Sequence, residues 1–422
     1  MQILMLSWEY PPRSVGGLGQ HVYELSRALS RQGQEVHVIT CGIEGAAPFE
    51  VVDGVKVHRV QPYTLHAPDL ITWVLQLNLS MLEYAIRLIN TGGGVDLIHA
   101  HDWLTAYAGR ALKHAYRLPL VATIHATEYG RNHGLHNDQQ RYISGVEWWL
   151  TYEAWRVICC SYYMKNEVKG VFQLPDDKIR VIPNGVNPQN FVVSENEPYN
   201  RDDYAHPSEK IVFYVGRLVH EKGVQVLLEA APKILASYPR TKFIIAGRGP
   251  NENYLKHRAQ ELGISNSVYF TGYIDDQTRN RLYSYANVAV FPSLYEPFGI
   301  VALEAMAART PVVVSDTGGL AEIIEEGVDG LKAHPGSSDS LAARILEILY
   351  QPHLGQRLRE KAYSKVVRHF NWEEIAEQTM ALYQEVRIQY AKSIWAPPNA
   401  LENALKHSSR YRTNRVGEPR VS

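Results

Sequence analysis

The chain has 422 residues, with 43 basic and 44 acidic side chains that leave a formal net charge of −1 at pH 7. This length exceeds what one hydrophobic core usually holds, so two domains are expected, and the balanced charge gives no support for nucleic-acid binding. Three cysteines, two of them adjacent, are typical of a reduced cytosolic protein and not of a disulfide framework: Cys41, Cys159 and Cys160.

The N-terminal residues MQILMLSWEYPP lack the basic start and the long apolar stretch of a signal peptide. No run of about 18 uncharged apolar residues predicts a membrane span. The most apolar segment, LITWVLQLNLSMLEYAIRLIN, predicts a long, largely buried helix; a face that contacts a membrane or an acceptor is the alternative. We therefore expect a cytoplasmic protein, with peripheral association at the inner membrane face left open.

In the first half of the chain, short apolar strands alternate with helical segments. The strands are predicted at QILMLS, EVHVIT, VKVHRV, DLIHAH, LPLVATIH, RVICCS and KIRVIP. The first strand is followed by a glycine-rich turn and the helix GQHVYELSRALSRQG. Continuous Val/Ile runs separated by helices predict a parallel sheet with both faces covered.

The polar stretch SENEPYNRDDYAHPSEK interrupts this alternation and predicts a linker. Afterwards the alternation resumes, with strands at KIVFYVG, TKFIIAG, SVYFTG, VAVFPS, TPVVVSD and GLKAHP. The fold class predicted is therefore α/β, with two tandem Rossmann-like, doubly wound domains whose strand carboxyl ends face each other across a cleft. We place these domains at residues 1–195 and 196–370, followed by a helical segment, 371–395.

The chain ends in a polar, basic segment, 396–422. It carries Lys406, Arg410, Arg412 and Arg415. A solvated, mobile tail is the first interpretation, and contact with an anionic surface is the alternative.

The first motif is SVGGLGQHVYELSRAL, in which Gly16, Gly17 and Gly19 lie between the first strand and the first helix. Glycines there let backbone N–H groups approach a phosphate at a helix start, although a tight strand–helix turn explains them equally well. The spacing is not G-x-G-x-x-G, which argues against a nicotinamide cofactor.

The second motif, YVGRLVHEKGVQVLLEA, places Arg217 and Lys222 on one short connection after a strand, between Gly216 and Gly223. Two cations in this position suit a diphosphate, since arginine offers a planar fork and lysine a compact charge. Two solvated loop cations are the alternative.

The third motif, EPFGIVALEAMA, holds two carboxylates, Glu296 and Glu304, around a predicted helix start at Gly299. Backbone N–H groups near Gly299, Ile300 and Val301 can bind phosphate while the carboxylates accept hydrogen bonds from sugar hydroxyls. The alternative for Glu304 is an exposed acid near the start of the helix.

The fourth group, His99, His101, Asp102 and His125, follows two strand ends of the first half. A metal site is one interpretation, although no Cys/His set has zinc-like spacing; a neutral imidazole bonded to a sugar hydroxyl is another. We expect His99 to be a core histidine and His125 to be functional. Two strand ends of the second half, IIAGRGP and FTGYID, could close over a base or ribose. The Gly318–Gly319 pair precedes a helix and is a further candidate for ligand binding. An ordinary turn explains each of these segments equally well.

With these motifs in this order over about residues 1–390, the sequence resembles glycosyltransferase family 4, the retaining nucleotide-sugar transferases of the GT-B fold. The resemblance is carried by the Gly-Gly loop, HAHDW, TIH, PNGV, GRLVHEKG, AGRGP and the two-glutamate motif. The segments SWEYPPRSVGGLGQHV, HDW and TIHATEYGR are similar to the glycogen-synthase-like branch. The following loop, NHGLHNDQQ, departs from it, so the resemblance is no guide to the acceptor.

The resemblance implies that Arg217 and Lys222 hold the donor diphosphate and that Glu304 binds the ribose hydroxyls. It implies that Glu296 holds the donor hexose and that His125 contacts the transferred sugar. It also implies that Arg248 and Ile274 lie beside the base. The further donor-binding positions are Gly16, Gly17, Gly216, Phe298, Gly299, Ile300 and Val301. The acceptor side is assigned to the first domain, with His101, Asp102, Glu128 and Arg131. The segment from Asn371 to Ser393 is expected to pack back against that domain.

The expected activity is thus transfer of a hexose to a carbohydrate or glycolipid acceptor in polysaccharide or exopolysaccharide synthesis. By analogy with similar sequences the donor is UDP-glucose and the hexose is glucose. The anomeric configuration is expected to be retained, and no metal or other cofactor is expected to be required. A nucleotide-sugar epimerase of the same fold and a GDP-mannose-dependent mannosyltransferase are the alternatives. A non-catalytic sugar-binding protein would have no need of Glu296, Arg217 and Lys222 together. The acceptor and the oligomeric state stay open.

Overall fold

The computed structural model describes residues 1–13, 16–92, 94–193 and 201–397. The predicted basic tail with Lys406, Arg410, Arg412 and Arg415 lies outside the described residues, as do residues 194–200 of the predicted linker. Internal contacts divide the chain into two compact units. Unit 1 comprises Met1–Cys159, Lys165–Ile182 and the described residues from Glu373 onward, and unit 2 comprises Cys160–Met164 and Pro183–Trp372.

Within the described residues, unit 1 contains an eight-stranded sheet in the order β3-β4-β2-β1-β5-β6-β7-β8. Its strands are β1 (Gln2–Leu6), β2 (Glu35–Cys41), β3 (Phe49–Val52), β4 (Val55–Val60), β5 (Leu97–His101), β6 (Leu120–Ile124), β7 (Arg156–Cys159) and β8 (Ile179–Val181). Neighbouring strands run parallel, which confirms the prediction, except that β3 pairs antiparallel with β4.

The edge strand β3 is absent from the sequence prediction. It is four residues long, with alternating exposed and half-buried side chains, so it carries none of the continuous apolar character of the inner strands. Asp53 and Gly54 connect it to β4, both with positive φ (48° and 82°), which is the geometry of a two-residue hairpin turn. The Asp53-Gly54 dipeptide, which is typical of such turns, was the sequence signal that could have predicted this hairpin.

Unit 2 contains a six-stranded parallel sheet in the order β11-β10-β9-β12-β13-β14, counted over the described residues. Its strands are β9 (Lys210–Val215), β10 (Thr241–Ala246), β11 (Val268–Gly272), β12 (Val288–Phe291), β13 (Val312–Ser315) and β14 (Leu331–Ala333). This is the 3-2-1-4-5-6 order of the Rossmann fold, so the prediction of doubly wound domains is confirmed. The strand order reverses beside β1 in unit 1 and beside β9 in unit 2.

The α-helices cover these sheets. In chain order they are α1 (Gly17–Arg31), α2 (Leu70–Thr91), α3 (Ala106–Tyr116), α4 (Glu128–Asn132), α5 (Asp138–Glu153), α6 (Tyr162–Phe172), α7 (Val224–Ser237), α8 (Glu252–Glu261), α9 (Asp276–Tyr285), α10 (Ile300–Ala307), α11 (Gly318–Ile323), α12 (Ser338–Tyr350), α13 (Pro352–His369) and α14 (Trp372–Ala391). Short 3₁₀ turns lie at Trp103–Thr105, Asp176–Lys178, Pro188–Phe191, Arg201–Asp203 and His220–Lys222.

The prediction that α2 is largely buried is wrong. Its buried residues form one stripe: Val74, Leu77, Asn78, Met81 and Ala85. Three of its leucines are instead exposed, by 41–49%: Leu70, Leu75 and Leu79. Apolar composition predicted burial, but one face of a helix is enough to pack against a sheet.

The last helix, α14, belongs to unit 1, as the predicted fold class requires. The Tyr383 hydroxyl lies 2.6 Å from Nδ1 of His99 in β5. Glu385 accepts a hydrogen bond from Arg156 at 2.8 Å, and Arg387 pairs with Asp96 at 3.1 Å. These contacts attach the C-terminal helix to the sheet formed by the start of the chain.

Candidate active site

In unit 2 the loops after β9 and β12, which flank the point where the strand order reverses, are joined through their backbones. Leu294 and Tyr295 both donate backbone hydrogen bonds to the Glu221 carbonyl, at 2.8 and 3.3 Å. Gly223 begins α7 with φ +70°, and a Cβ there would overlap the Pro292 carbonyl. Glycine is therefore required where the two loops meet.

This contact brings Lys222 and Glu296 together. The Lys222 Nζ atom lies 2.7 Å from Glu296 Oε2, which also accepts a hydrogen bond from the Ser293 hydroxyl at 3.1 Å. Glu296 is only 6% exposed. A buried carboxylate close to a helix start is tolerated here because a cation from the adjoining loop neutralises it.

The backbone of Glu296 is held by the Gly318–Gly319 pair of α11. The Gly319 N–H donates to the Glu296 carbonyl at 2.9 Å, and Gly318 has φ +54°. A Cβ at Gly318 would overlap that same carbonyl oxygen. These glycines are thus more than an ordinary turn, since they allow the close approach that fixes the EPFG segment.

The other cation, Arg217, is about half exposed, with 48% of its side chain accessible. Its Nη2 atom lies 3.6 Å from Glu221 Oε1. Gly216 precedes it, and a Cβ at Gly247, after β10, would overlap the Gly216 carbonyl. Hence the loops after β9 and β10 also pack backbone to backbone, and the Arg217 side chain beside them is about half exposed.

Glu304 is buried in the second turn of α10, at 8% exposure, so the alternative of an exposed acid is wrong. The Tyr283 hydroxyl lies 3.2 Å from Glu304 Oε2, and Arg279 Nη1 lies 3.6 Å from Oε1. Burial raises the pKa of Glu304, while the Arg279 guanidinium opposes that rise. Tyr283 and Arg279, both on α9, are neighbours that the sequence analysis did not single out.

The remaining donor-side positions lie around these groups. Gly299 begins α10 with φ +105°, followed by Ile300 and Val301, both partly buried. Phe298 is buried against Phe370, with ring centroids 6.3 Å apart. Arg248 and Ile274, both predicted beside the base, follow the neighbouring strands β10 and β11. Gly272 ends β11, and a side chain at that position would have its Cβ 3.8 Å from Arg248 Nε. Ile274 lies two residues beyond this glycine.

In unit 1 the glycine-rich turn lies at the start of α1. The Gly16 N–H, predicted to face a phosphate, donates to Glu9 Oε2 at 3.2 Å. A Cβ at Gly19 would lie 3.1 Å from the Glu9 side chain. Gly17 is the first residue of the helix. The buried carboxylate of Glu9 is a further residue that the sequence analysis missed.

The strand ends of unit 1 gather four histidines. His99 is fully buried and lies 2.6 Å from the Tyr383 hydroxyl and 2.7 Å from the Thr123 hydroxyl, as befits a core histidine. His101 Nδ1 lies 3.2 Å from His125 Nε2. The His21 ring, from α1, has its centroid 4.8 Å from that of His125 and 5.4 Å from that of His101.

Burial sets the charge state of this group. It lowers the pKa of His101 well below its ordinary value and that of His125 to about 3, with the Arg131 guanidinium adding to the second effect. Asp102, buried beside them, accepts the His125 backbone N–H at 2.7 Å. Burial raises its pKa to about 6. The imidazoles of His101 and His125 are thus neutral near pH 7.

The predicted acceptor-side residues Glu128 and Arg131 lie on the short helix α4. The Glu128 N–H donates to both carboxylate oxygens of Glu147, at 2.9 and 3.1 Å, and Arg131 lies 3.9 Å from the Glu128 carboxylate. Glu147, on α5, is buried, which raises its pKa well above the ordinary value. It supports the start of α4 and was not expected from the sequence.

Two Rossmann-like units, with paired cations and acids at a strand-order reversal, define the class of GT-B glycosyltransferases. Residues 15–190 match the family Glycosyltransferase Family 4, and residues 197–365 match Glycosyl transferases group 1. The chain belongs to glycosyltransferase family 4 and is an enzyme of that kind. Among the described residues, no helix has both the length and the apolarity to cross a bilayer.

Similar proteins cover nearly the whole chain. An uncharacterized glycosyltransferase of Methanocaldococcus jannaschii is 40% identical over 91% of this chain and 98% of its own length. A glycogen synthase of Mycobacterium tuberculosis is 36% identical over 91% of this chain and 94% of its own. The structure of sucrose-phosphate synthase from Thermosynechococcus elongatus is similar with a TM-score of 0.80, 27% identity, and coverage of 93% of this chain and 99% of that one.

Proposed function

We propose that this protein transfers glucose from UDP-glucose to a carbohydrate acceptor with retention of anomeric configuration, releasing UDP. The observation that carries the proposal is the ion pair between Lys222 and Glu296, held beside the helix start at Gly299. Similarity to a glycogen synthase, named for a glucose polymer, supports glucose as the sugar and a glucan as the acceptor class. The three buried cysteines form no disulfide among the described residues, which supports a cytoplasmic location.

The proposed donor contacts follow from the charges. The exposed fork of Arg217 and the first backbone N–H groups of α10 bind the diphosphate, because both present donors to an anion. Lys222 adds charge on the leaving-group side. Glu296 retains acceptor capacity for hexose hydroxyls, since a carboxylate offers about four acceptor sites and two are in use. Glu304 accepts hydrogen bonds from the ribose.

In the proposed reaction the bond between the anomeric carbon and the diphosphate oxygen breaks as negative charge grows on the leaving group. Arg217 and Lys222 stabilise that charge more in the transition state than in the ground state. The acceptor oxygen attacks on the face that the diphosphate leaves, and its proton passes to the departing phosphate oxygen. We propose that His125, neutral because it is buried, hydrogen-bonds the transferred sugar, and that no metal ion is needed.

The test is nucleoside-diphosphate release from UDP-glucose, ADP-glucose and GDP-mannose, each with and without maltooligosaccharides. We expect acceptor-dependent release from a glucose donor, with UDP-glucose preferred, and an α-linked product by NMR. Lys222→Ala should lower turnover at saturating donor by about 10²–10³. The matched control is Lys233→Ala, because Lys233 forms an ion pair with Asp339 on an exposed surface.

Three outcomes would oppose the proposal. Conversion of UDP-glucose to another UDP-sugar without acceptor would indicate an epimerase. Preference for GDP-mannose would indicate a mannosyltransferase. Normal turnover by Lys222→Ala would remove the charge-stabilising role of that lysine.

A further inference from the structure

Three imidazoles of unit 1 meet although they come from distant segments. His21 lies on α1, His101 ends β5, and His125 follows β6, and one ring nitrogen of each lies within 4.8 Å of the other two. Zinc–nitrogen bonds of about 2.0–2.1 Å in a tetrahedral site place ligand nitrogens roughly 3.3 Å apart. His101 Nδ1 and His125 Nε2 are already 3.2 Å apart. Ligation by His21 as well would require its nitrogen, now within 4.8 Å of the other two, to approach to about 3.3 Å.

The chemical state of the group also suits a metal ion. Neutral imidazole is the form of histidine that binds a metal ion, through the lone pair of one ring nitrogen. The Nε2 atom of His101 is buried and has no hydrogen-bond partner among the described residues. Of the three rings, that of His125 is the one that is partly exposed.

We propose that His21, His101 and His125 bind one divalent ion of the zinc class, with a fourth position open to water or a small ligand. Three imidazole nitrogens favour Zn²⁺, Co²⁺ or Ni²⁺ over Mg²⁺ or Ca²⁺, which prefer oxygen ligands. The ion is not part of the transfer chemistry. When the site holds Zn²⁺, His125 is a metal ligand and cannot hydrogen-bond the sugar, so Zn²⁺ inhibits transfer. This inhibition rests on the proposed function, whereas the metal binding itself does not.

The test uses the full-length protein, free of affinity tags and dialysed against EDTA, titrated with Co²⁺ alone. We expect saturable binding of one ion per chain, with the intense visible bands of four-coordinate Co²⁺, and their loss when Zn²⁺ displaces it. His21→Ala and the more conservative His21→Gln should each weaken binding by about tenfold or more. Thermal unfolding of each variant checks that it is folded.

The matched control is His37→Ala. His37 is also a buried histidine of the same sheet, with Nδ1 3.0 Å from His58 Nε2, but it lies outside the three-histidine group. Wild-type affinity in this variant supports the proposal. Absence of saturable Co²⁺ or Zn²⁺ binding to the wild type, or unchanged binding by both folded His21 variants, overturns it. No sugar is present in this binding assay, so a negative result does not bear on the proposed transferase activity. Conversely, absence of transferase activity would not affect the metal-binding result.

Discussion

Lys222 Nζ and Glu296 Oε2 lie 2.7 Å apart, although the two residues are 74 positions apart along the chain. The pair is largely shielded from solvent, with 21% and 8% of the side chains accessible. Removing one partner from such a pair leaves a charge without compensation, whereas removing both does not. The pair can therefore be tested as a unit.

We expect Lys222→Met and Glu296→Gln each to lower the free energy of unfolding, and the double variant to recover about 1–3 kcal/mol of the summed loss. Turnover should stay low in all three, since the proposed reaction requires both groups. Urea unfolding and donor-saturated rates measure the two effects. Strictly additive stability losses would contradict the coupling.

A second prediction concerns Glu304. We expect Glu304→Gln to weaken UDP binding by about 10–100-fold, because a hydrogen bond to a charged group is worth roughly 1.5–3 kcal/mol. Tyr283→Phe, which removes the hydroxyl 3.2 Å from that carboxylate, should have a smaller effect. Isothermal titration calorimetry gives the affinities.

The control for this prediction is a ligand without ribose hydroxyls. Wild type and Glu304→Gln should bind 2′,3′-dideoxyuridine diphosphate equally. A difference that persists with this ligand would mean that Glu304 acts elsewhere than on the ribose.

A third prediction compares two glycines with positive φ. Gly318 (φ +54°) would place a Cβ on the Glu296 carbonyl, whereas Gly336 (φ +73°) has only Leu294 Cδ2 nearby, at 3.8 Å. Gly336→Ala should therefore cost only the conformational strain, about 1 kcal/mol. Gly318→Ala should cost more and also lower turnover, because it displaces Glu296. Equal effects of the two substitutions on unfolding and rate would contradict this role.

The fourth prediction is a pH dependence. Burial raises the pKa of Asp102 to about 6, so between about pH 4 and pH 6 the folded protein retains a proton that the unfolded chain has lost. The stability that Asp102 contributes is therefore present below pH 4 and is lost as pH rises through 6. Relative to Asp102→Asn, the wild type should lose about 3 kcal/mol across this window.

Urea unfolding at a series of pH values measures that difference. The buried histidines make the free energy of unfolding rise with pH, and this contribution cancels in the comparison because both proteins contain them. Asparagine keeps an oxygen that can accept the His125 N–H, so the turn is preserved. Parallel stability curves for the two proteins would show that Asp102 is ionised throughout.

The sequence predicted the parts of this structure that follow from local pattern. Continuous Val/Ile runs located the inner strands, and the two motifs singled out for their charges contain Lys222 and Glu296, which the fold brings together. The burial of Glu304 was missed because it depends on Tyr283 and Arg279, which the preceding helix α9 supplies across the intervening strand β12. His21 was missed for the same reason: within α1 it is a single histidine, and only the folded sheet places it beside His101 and His125.

The attachment of α14 to unit 1 has a consequence for how the protein is made. Tyr383, Glu385 and Arg387, which contact His99, Arg156 and Asp96, are translated 229 to 291 residues after those partners. Most of unit 2 lies between the two sets of residues in the chain and is synthesised in the interval. Unit 1 therefore cannot form all of its internal contacts until unit 2 has been translated, and the buried side chain of His99 gains its Tyr383 partner only then.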